Sequence, residues 1–200
     1  MIERGEFIVV YGVNNIGKSY RVTDLGEEYK ARGYRVHLLK YPIYNIEPTG
    51  PLLWEVLQNG KKMSSFQLQW TTARNRRDFE PKLSRLLDEN DLVISEDYKW
   101  TGIIWGIVYG QPLWLMKLIN YGQRQEGLAI LLDGERLVTG SQKHRHERRA
   151  DMWAKARRVH VETAQKNKWP IVWQAERQKG ANEDLFAVVD DHLSRVHVSP

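Results

Sequence analysis

Gly12, Gly17, Lys18 and Ser19 stand in the spacing G-x-x-x-x-G-K-S, and that spacing points to phosphate chemistry. In such a loop the backbone N–H groups wrap a polyphosphate, the lysine reaches its β- and γ-phosphates, and the hydroxyl helps hold Mg²⁺. The flanks fit. Phe7-Ile8-Val9-Val10-Tyr11 is an apolar, β-branched run that reads as a buried strand. Leu25, Tyr29 and Ala31 then fall among charged residues, a spacing that suits a helix closed near Gly33. The positive end of that helix dipole adds attraction for an anion. A glycine turn that merely joins strand to helix would leave Lys18 unexplained.

Other groups with chemical potential lie downstream. Glu96 and Asp97 follow the apolar run Leu92-Val93-Ile94-Ser95. Acidic residues at the carboxyl end of a parallel strand, beside a phosphate loop, help to place a metal. Arg136, Lys143, Arg145, Arg148, Arg149, Lys155, Arg157 and Arg158 form a local basic cluster, which suits one polyanionic ligand at least as well as a long duplex. Lys155 and Arg158 read as a solvated helix face, and Arg74 to Arg77 would need further support to mean more. His144 and His146 are spaced for a metal, but arginines surround them and no carboxylate cluster completes the set. Trp54, Trp70, Trp105 and Trp153 occupy amphipathic positions and read as core or pocket. Stacking of tryptophans on single-stranded nucleic acid is the minor alternative.

The elements that position these groups alternate. The 200 residues suit one domain. Arg35–Lys40 reads as a second strand. Pro51 can open a short helix through Leu57, and Ser64 or Ser65 can cap a longer one that Pro81 should kink or interrupt. Leu92–Ser95, Leu128–Asp133 and Ile171–Gln174 are further strands. Trp100–Leu118, broken by Gly102, Gly106, Gly110 and Pro112, reads as a pair of buried helices, and a helix around Leu185 to Val196 closes the chain. The expected class is α/β, a three-layer domain with a five-stranded parallel sheet and helices on both faces.

Composition narrows the setting. The absence of cysteine excludes disulfides and cysteine-ligated metals and fits a reducing cytoplasm. The first strand begins too early to leave room for a signal peptide, and no apolar run approaches membrane-spanning length. The formal charge of +5 is concentrated in the basic cluster rather than spread as a nucleic-acid footprint.

In the order of its pieces the chain resembles the thymidylate kinases, within the P-loop nucleoside monophosphate kinases. The resemblance runs from about Phe7 to about Val189. It is carried by the phosphate loop, Tyr41-Pro42 after the second strand, Asn75-Arg76 on the third helix, and Glu96-Asp97-Tyr98 with Thr101-Gly102 downstream. The resemblance implies transfer of the ATP γ-phosphoryl group to a nucleoside monophosphate, with dTMP the leading acceptor, with Mg²⁺, in a homodimer formed through helices. It implies that Gly12, Asn14, Asn15, Ile16, Gly17, Lys18, Ser19 and Tyr20 form the loop around the ATP phosphates, with Ala175, Glu176 and Arg177 near the adenine. Ser19 and Glu96 would hold the metal, and Glu96 would also help to place the acceptor phosphate. Arg76, Tyr98, Gly102 and Trp105 would meet the acceptor, with Tyr41 and Pro42 on the opposite wall. A lid over about 134–150 would supply Arg145, Arg148 or Arg149 to the transferred group, since the loop position that carries an arginine in some members is Asn15 here. Arg148 is the leading choice.

Three positions depart from the family pattern. Asp97 replaces an arginine that grips the acceptor phosphate, Asn14 replaces an aspartate, and Thr72 stands where the family stacks the base on an aromatic ring. Trp70 or Phe66 are candidate replacements for the ring, and Lys40, Lys99 or Arg74 for the arginine. A deoxynucleoside kinase, a kinase of another monophosphate, and a non-catalytic nucleotide- or nucleic-acid-binding protein stay open as alternatives.

Overall fold

Five parallel strands set the frame in the computed structural model, which describes residues 5–136, 150–174 and 182–196. In chain order these are β1 (Glu6–Tyr11), β2 (Val36–Lys40), β3 (Leu92–Glu96), β4 (Leu128–Gly134) and β5 (Ile171–Gln174). They assemble in the order β2-β3-β1-β4-β5. Parallel neighbours need crossover helices, which the alternating sequence supplies. The helices are α1 (Lys18–Ala31), α2 (Thr49–Leu57), α3 (Ser65–Glu89), α4 (Lys99–Val108), α5 (Leu113–Ile119), α6 (Ala150–Asn167) and α7 (Glu183–Val196).

The two faces of β1 divide the core. Ile8 and Val10 point to one layer, where Val22, Leu25 and Tyr29 of α1 and Leu185, Val189 and Leu193 of α7 cover them. Phe7, Val9 and Tyr11 point to the other, against Phe79, Leu83, Leu86 and Leu87 of α3. This is the expected three-layer arrangement. The central strands are covered on both faces, which explains their unbroken apolar runs, whereas β5 alternates exposed and buried residues as an edge strand.

Ser64 caps α3 through a reciprocal pair, its Oγ accepting from the Gln67 N–H and the Gln67 side chain accepting from the Ser64 N–H. Several details differ from expectation. β2 begins at Val36, and α2 begins at Thr49, so that Pro51 lies inside its first turn, where a missing N–H costs little. α3 runs through Pro81 without interruption. The ring sits on an exposed position, and the apolar stripe around it holds both halves of the helix to the sheet. Of the expected pair of buried helices only α4 is buried. α5 leaves Trp114 67% and Leu118 60% exposed, because its seven residues offer only Met116 and Ile119 to the interior. Among the described residues no helix is long and apolar enough to cross a membrane.

Candidate active site

A cavity of about 650 Å³ opens at the carboxyl ends of β1, β2 and β3, where parallel sheets place ligand sites. The phosphate loop forms one wall. Gly17 caps α1 at φ 90 and Gly12 has φ 152, values that side chains rarely tolerate; a Cβ on Gly12 would come within 2.6 Å of the Leu132 carbonyl oxygen. Asn15 also takes a left-handed conformation, φ 62, which asparagine accepts more readily than most residues. The buried ammonium of Lys18 donates to the carbonyl oxygens of Gly12 at 2.8 Å and Val13 at 2.9 Å. Asn14, Asn15, Gly17, Lys18, Ser19 and Tyr20 line the cavity, whereas Ile16 is core and Gly12 is not part of the lining. Trp153 donates through Nε1 to the Asn14 carbonyl oxygen at 3.3 Å, which ties α6 to the loop.

Sheet register brings the acidic pair to the same place. Val10 and Lys40 are the partners of Glu96 on either side of β3. The Ser19 hydroxyl donates to Glu96 Oε2 at 2.7 Å. Lys40 Nζ donates to Ser19 Oγ at 2.9 Å and lies 3.0 Å from the same Glu96 oxygen. A hydroxyl and a carboxylate at this spacing are hard oxygen donors suited to Mg²⁺, which needs only one or two protein ligands when nucleotide phosphates supply the rest. Among the described residues no group of three or more His, Cys, Asp or Glu side chains is arranged to hold a metal ion. Asp97 follows at φ 64, its Oδ1 accepting from the Thr101 hydroxyl at 2.9 Å and its Oδ2 lying 3.8 Å from Lys18. Burial pushes its carboxyl above the ordinary range, against the pull of Lys18.

The opposite end of the cavity is built on one face of α3. Gln69, Thr72 and Arg76 line it at helical spacing. Arg76 is 3% exposed, and its described hydrogen bonds go to neutral amides, Nε to Gln123 Oε1 at 3.1 Å and Nη2 to Asn120 Oδ1 at 2.8 Å. Burial lowers its pKa to about 10, which leaves a desolvated cation at neutral pH. Gly102 lets α4 approach it, since a Cβ there would lie 2.7 Å from Arg76 Nη2 and 3.3 Å from Gln69 Oε1. Tyr41, Pro42, Tyr98, Gly102 and Trp105 all line the same space. The Tyr98 ring lies tilted by 55° against that of Tyr41, with centroids 5.2 Å apart, and its hydroxyl donates to Glu80 Oε1. Asn75 stays outside the cavity and clasps the loop after β2, exchanging hydrogen bonds with Ile43 N and O at 2.8 Å each and donating to Thr49 Oγ1 at 3.0 Å.

The thymidylate kinase family profile matches residues 10–185. The chain belongs to the thymidylate kinase family. It is 33% identical over 100 residues to the thymidylate kinase of African swine fever virus (isolate Pig/Kenya/KEN-50/1950), a match over 50% of this chain and 42% of the relative. To the human thymidylate kinase it is 29% identical over 100 residues, 50% of this chain and 47% of the relative. The chain thus spans about half the length of these curated relatives. The solved structure of the thymidylate kinase from Candida albicans shares the fold, with a TM-score of 0.78 at 20% identity over 95% of this chain and 93% of that one.

Within this family frame the expected replacements separate cleanly. Neither Trp70 nor Phe66 reaches the cavity; Trp70 is half-exposed and Phe66 packs on the cluster around Ala73 and Met116. The tryptophans at positions 54 and 70 are therefore surface residues, and only Trp105 of the four serves the cavity directly. Lys99 turns away to Glu126 at 2.8 Å, and Arg74 pairs with Asp78 at 3.7 Å, which leaves Lys40 at the site. Arg157, from the basic cluster, forks onto Asp133 at 2.6 and 2.8 Å. Arg145, Arg148, Arg149, Ala175, Glu176 and Arg177, and residues 137–149 of the lid expected over about 134–150, lie outside the described residues. Gln69, Thr101 and Tyr44 line the cavity without having been singled out as contacts. The spacing of 69, 72 and 76 along one helix face was a signal that could have found Gln69.

Proposed function

We propose that the protein transfers the γ-phosphoryl group of ATP to dTMP, giving dTDP and ADP. The observation that carries this reading is a single cavity with Lys18, Ser19 and Glu96 at one end and the desolvated Arg76 at the other. Two ligands bound in this way meet over the phosphate loop, and phosphoryl transfer depends chiefly on such positioning and on charge neutralisation.

In this mechanism the loop N–H groups hold the donor's phosphates and Lys18 exchanges its two carbonyl partners for phosphate oxygens. Ser19 and Glu96 would hold Mg²⁺, which would supply charge neutralisation to the nucleotide phosphates. Arg76 donates to the acceptor nucleotide, and Tyr98 and Trp105 confine it against Tyr41 and Pro42. Arg148, with Arg145, closes over the transferred group, excluding water that would otherwise hydrolyse ATP. Ala175 and Arg177 border the adenine. One domain over residues 1–200 carries the whole site, with the lid at about 134–150. A cytoplasmic setting is supported by the lack of cysteine, and a homodimer by the exposed apolar side chains of Trp70, Trp114 and Leu118.

The test is ADP release with ATP and Mg²⁺, with dTMP, dUMP, the other monophosphates and thymidine offered separately. Turnover with dTMP that disappears in Lys18→Ala is expected. Turnover with thymidine alone would move the protein to the nucleoside kinases, and binding of ATP without turnover on any acceptor would make it a binding protein.

A further inference from the structure

Lys40 stands out among the cations of the cavity. Its ammonium caps a triangle of short contacts, 2.9 Å to Ser19 Oγ and 3.0 Å to Glu96 Oε2, with those two oxygens 2.7 Å apart. The hydroxyl and the carboxylate are the pair that fits Mg²⁺. Lys40 thus binds the two protein oxygens that the metal requires. Its place is fixed by the sheet, because Lys40 and Glu96 are register partners at the ends of adjacent strands. Its side chain is nevertheless 63% exposed, so the head group can leave at little packing cost. An ammonium and a divalent cation cannot occupy hydrogen-bond distance together without strong repulsion.

Among the described residues the other cations that line the cavity are already committed. Lys18 is buried against the loop carbonyls, and Arg76 is anchored from behind by Asn120 and Gln123. Asp97 and Glu96 place two negative side chains next to where an acceptor phosphate must approach the donor. A monoanionic or dianionic phosphate entering there needs a mobile positive charge.

We propose that Lys40 is a displaceable cation that holds the Ser19–Glu96 pair until the metal arrives with the donor and then turns its ammonium to the phosphate of the acceptor nucleotide. The second half rests on the acceptor reading given above, and the first half does not. Lys40 therefore compensates for the acidic Asp97 and also competes with Mg²⁺ for the nucleotide-free site.

Two measurements on Lys40→Met test this. In the first, Mn²⁺ is titrated into nucleotide-free protein and free Mn²⁺ is read by electron paramagnetic resonance. The variant should bind Mn²⁺ several-fold more tightly than the wild type, because Glu96 loses its competing partner; equal or weaker binding overturns the first role. In the second, dTMP and thymidine are each titrated calorimetrically with Mg²⁺ and a non-hydrolysable ATP analogue present. A lost charge-assisted contact should weaken dTMP about 10- to 100-fold and leave thymidine unchanged, and Lys40→Arg should recover part of the preference for dTMP. An unchanged ratio of dTMP to thymidine affinity overturns the second role. A wild type that binds no dTMP would instead sink the acceptor reading and this second role together, while the Mn²⁺ titration would still decide the first.

Discussion

Asp97 Oδ2 lies 3.8 Å from Lys18 Nζ, with both side chains almost wholly buried. The lysine that must meet the donor's phosphates is thus partly neutralised by an acidic residue where the family pattern has an arginine. The pairing keeps a buried ammonium compensated, and it also sets a carboxylate against any incoming phosphate.

Asp97→Asn removes that competitor while retaining an oxygen that can accept from Thr101. The KM for ATP should fall by about 3- to 10-fold, the effect of deleting one like charge near an anion at intermediate dielectric. Initial rates at saturating acceptor would show it. A higher KM for ATP would mean that Asp97 orients Lys18 more than it competes with the nucleotide.

Gly102 is the point of closest approach between α4 and the guanidinium of Arg76, where a Cβ would sit 2.7 Å from Nη2. Arg76 cannot yield freely, since Asn120 and Gln123 hold it from behind. Gly102→Ala should therefore raise the acceptor KM by about 10-fold or more, the cost of one misplaced charged hydrogen bond, and leave the KM for ATP unaltered. Equal changes in both constants would show a general disturbance of the fold.

Gln69 presents a buried carboxamide to the same end of the cavity, next to Arg76. Arginine donors beside an amide acceptor match a base edge with a carbonyl next to a ring N–H, as in thymine and uracil. Gln69→Leu keeps the bulk and removes the acceptor. Its kcat/KM for dTMP should drop by about 10-fold relative to that for dCMP; a ratio equal to the wild type's would place Gln69 outside base recognition.

His160 gives the fold an acid-sensitive point. It is fully buried on α6, its Nδ1 donating to the Ala156 carbonyl oxygen at 2.9 Å and its Nε2 lacking a partner among the described residues. Burial lowers its pKa from 6.5 to about 4. The unfolded chain takes up this proton first, so the stability it protects is full above about pH 6.5 and is lost as the pH falls towards 4. At about 1.4 kcal/mol per pH unit, the loss is about 3 kcal/mol across that window. Thermal melts of wild type and His160→Gln at neutral and acid pH would reveal it as a steeper acid decline in the wild type. Parallel declines would contradict it.

Local pattern alone determined the strand, glycine loop and helix around Lys18, the five parallel strands, and the convergence of Ser19 with Glu96. Each is written in short-range periodicity, in a loop of fixed spacing, or in the rule that parallel strands gather their carboxyl ends. Arg76 on α3 was legible only through the resemblance of Asn75-Arg76 to the family, not through the periodicity of the helix. Tertiary structure decided which of Lys40, Lys99 and Arg74 faces the site, because that depends on the register of Lys40 against Glu96 and on Glu126 drawing Lys99 away. It also decided that Gln69 joins Arg76 beneath Gly102, that α3 survives Pro81, and that α5 leaves Trp114 outside. Lys40 and Lys99 become distinct only through neighbours far away in the chain, and no local spacing encodes those neighbours.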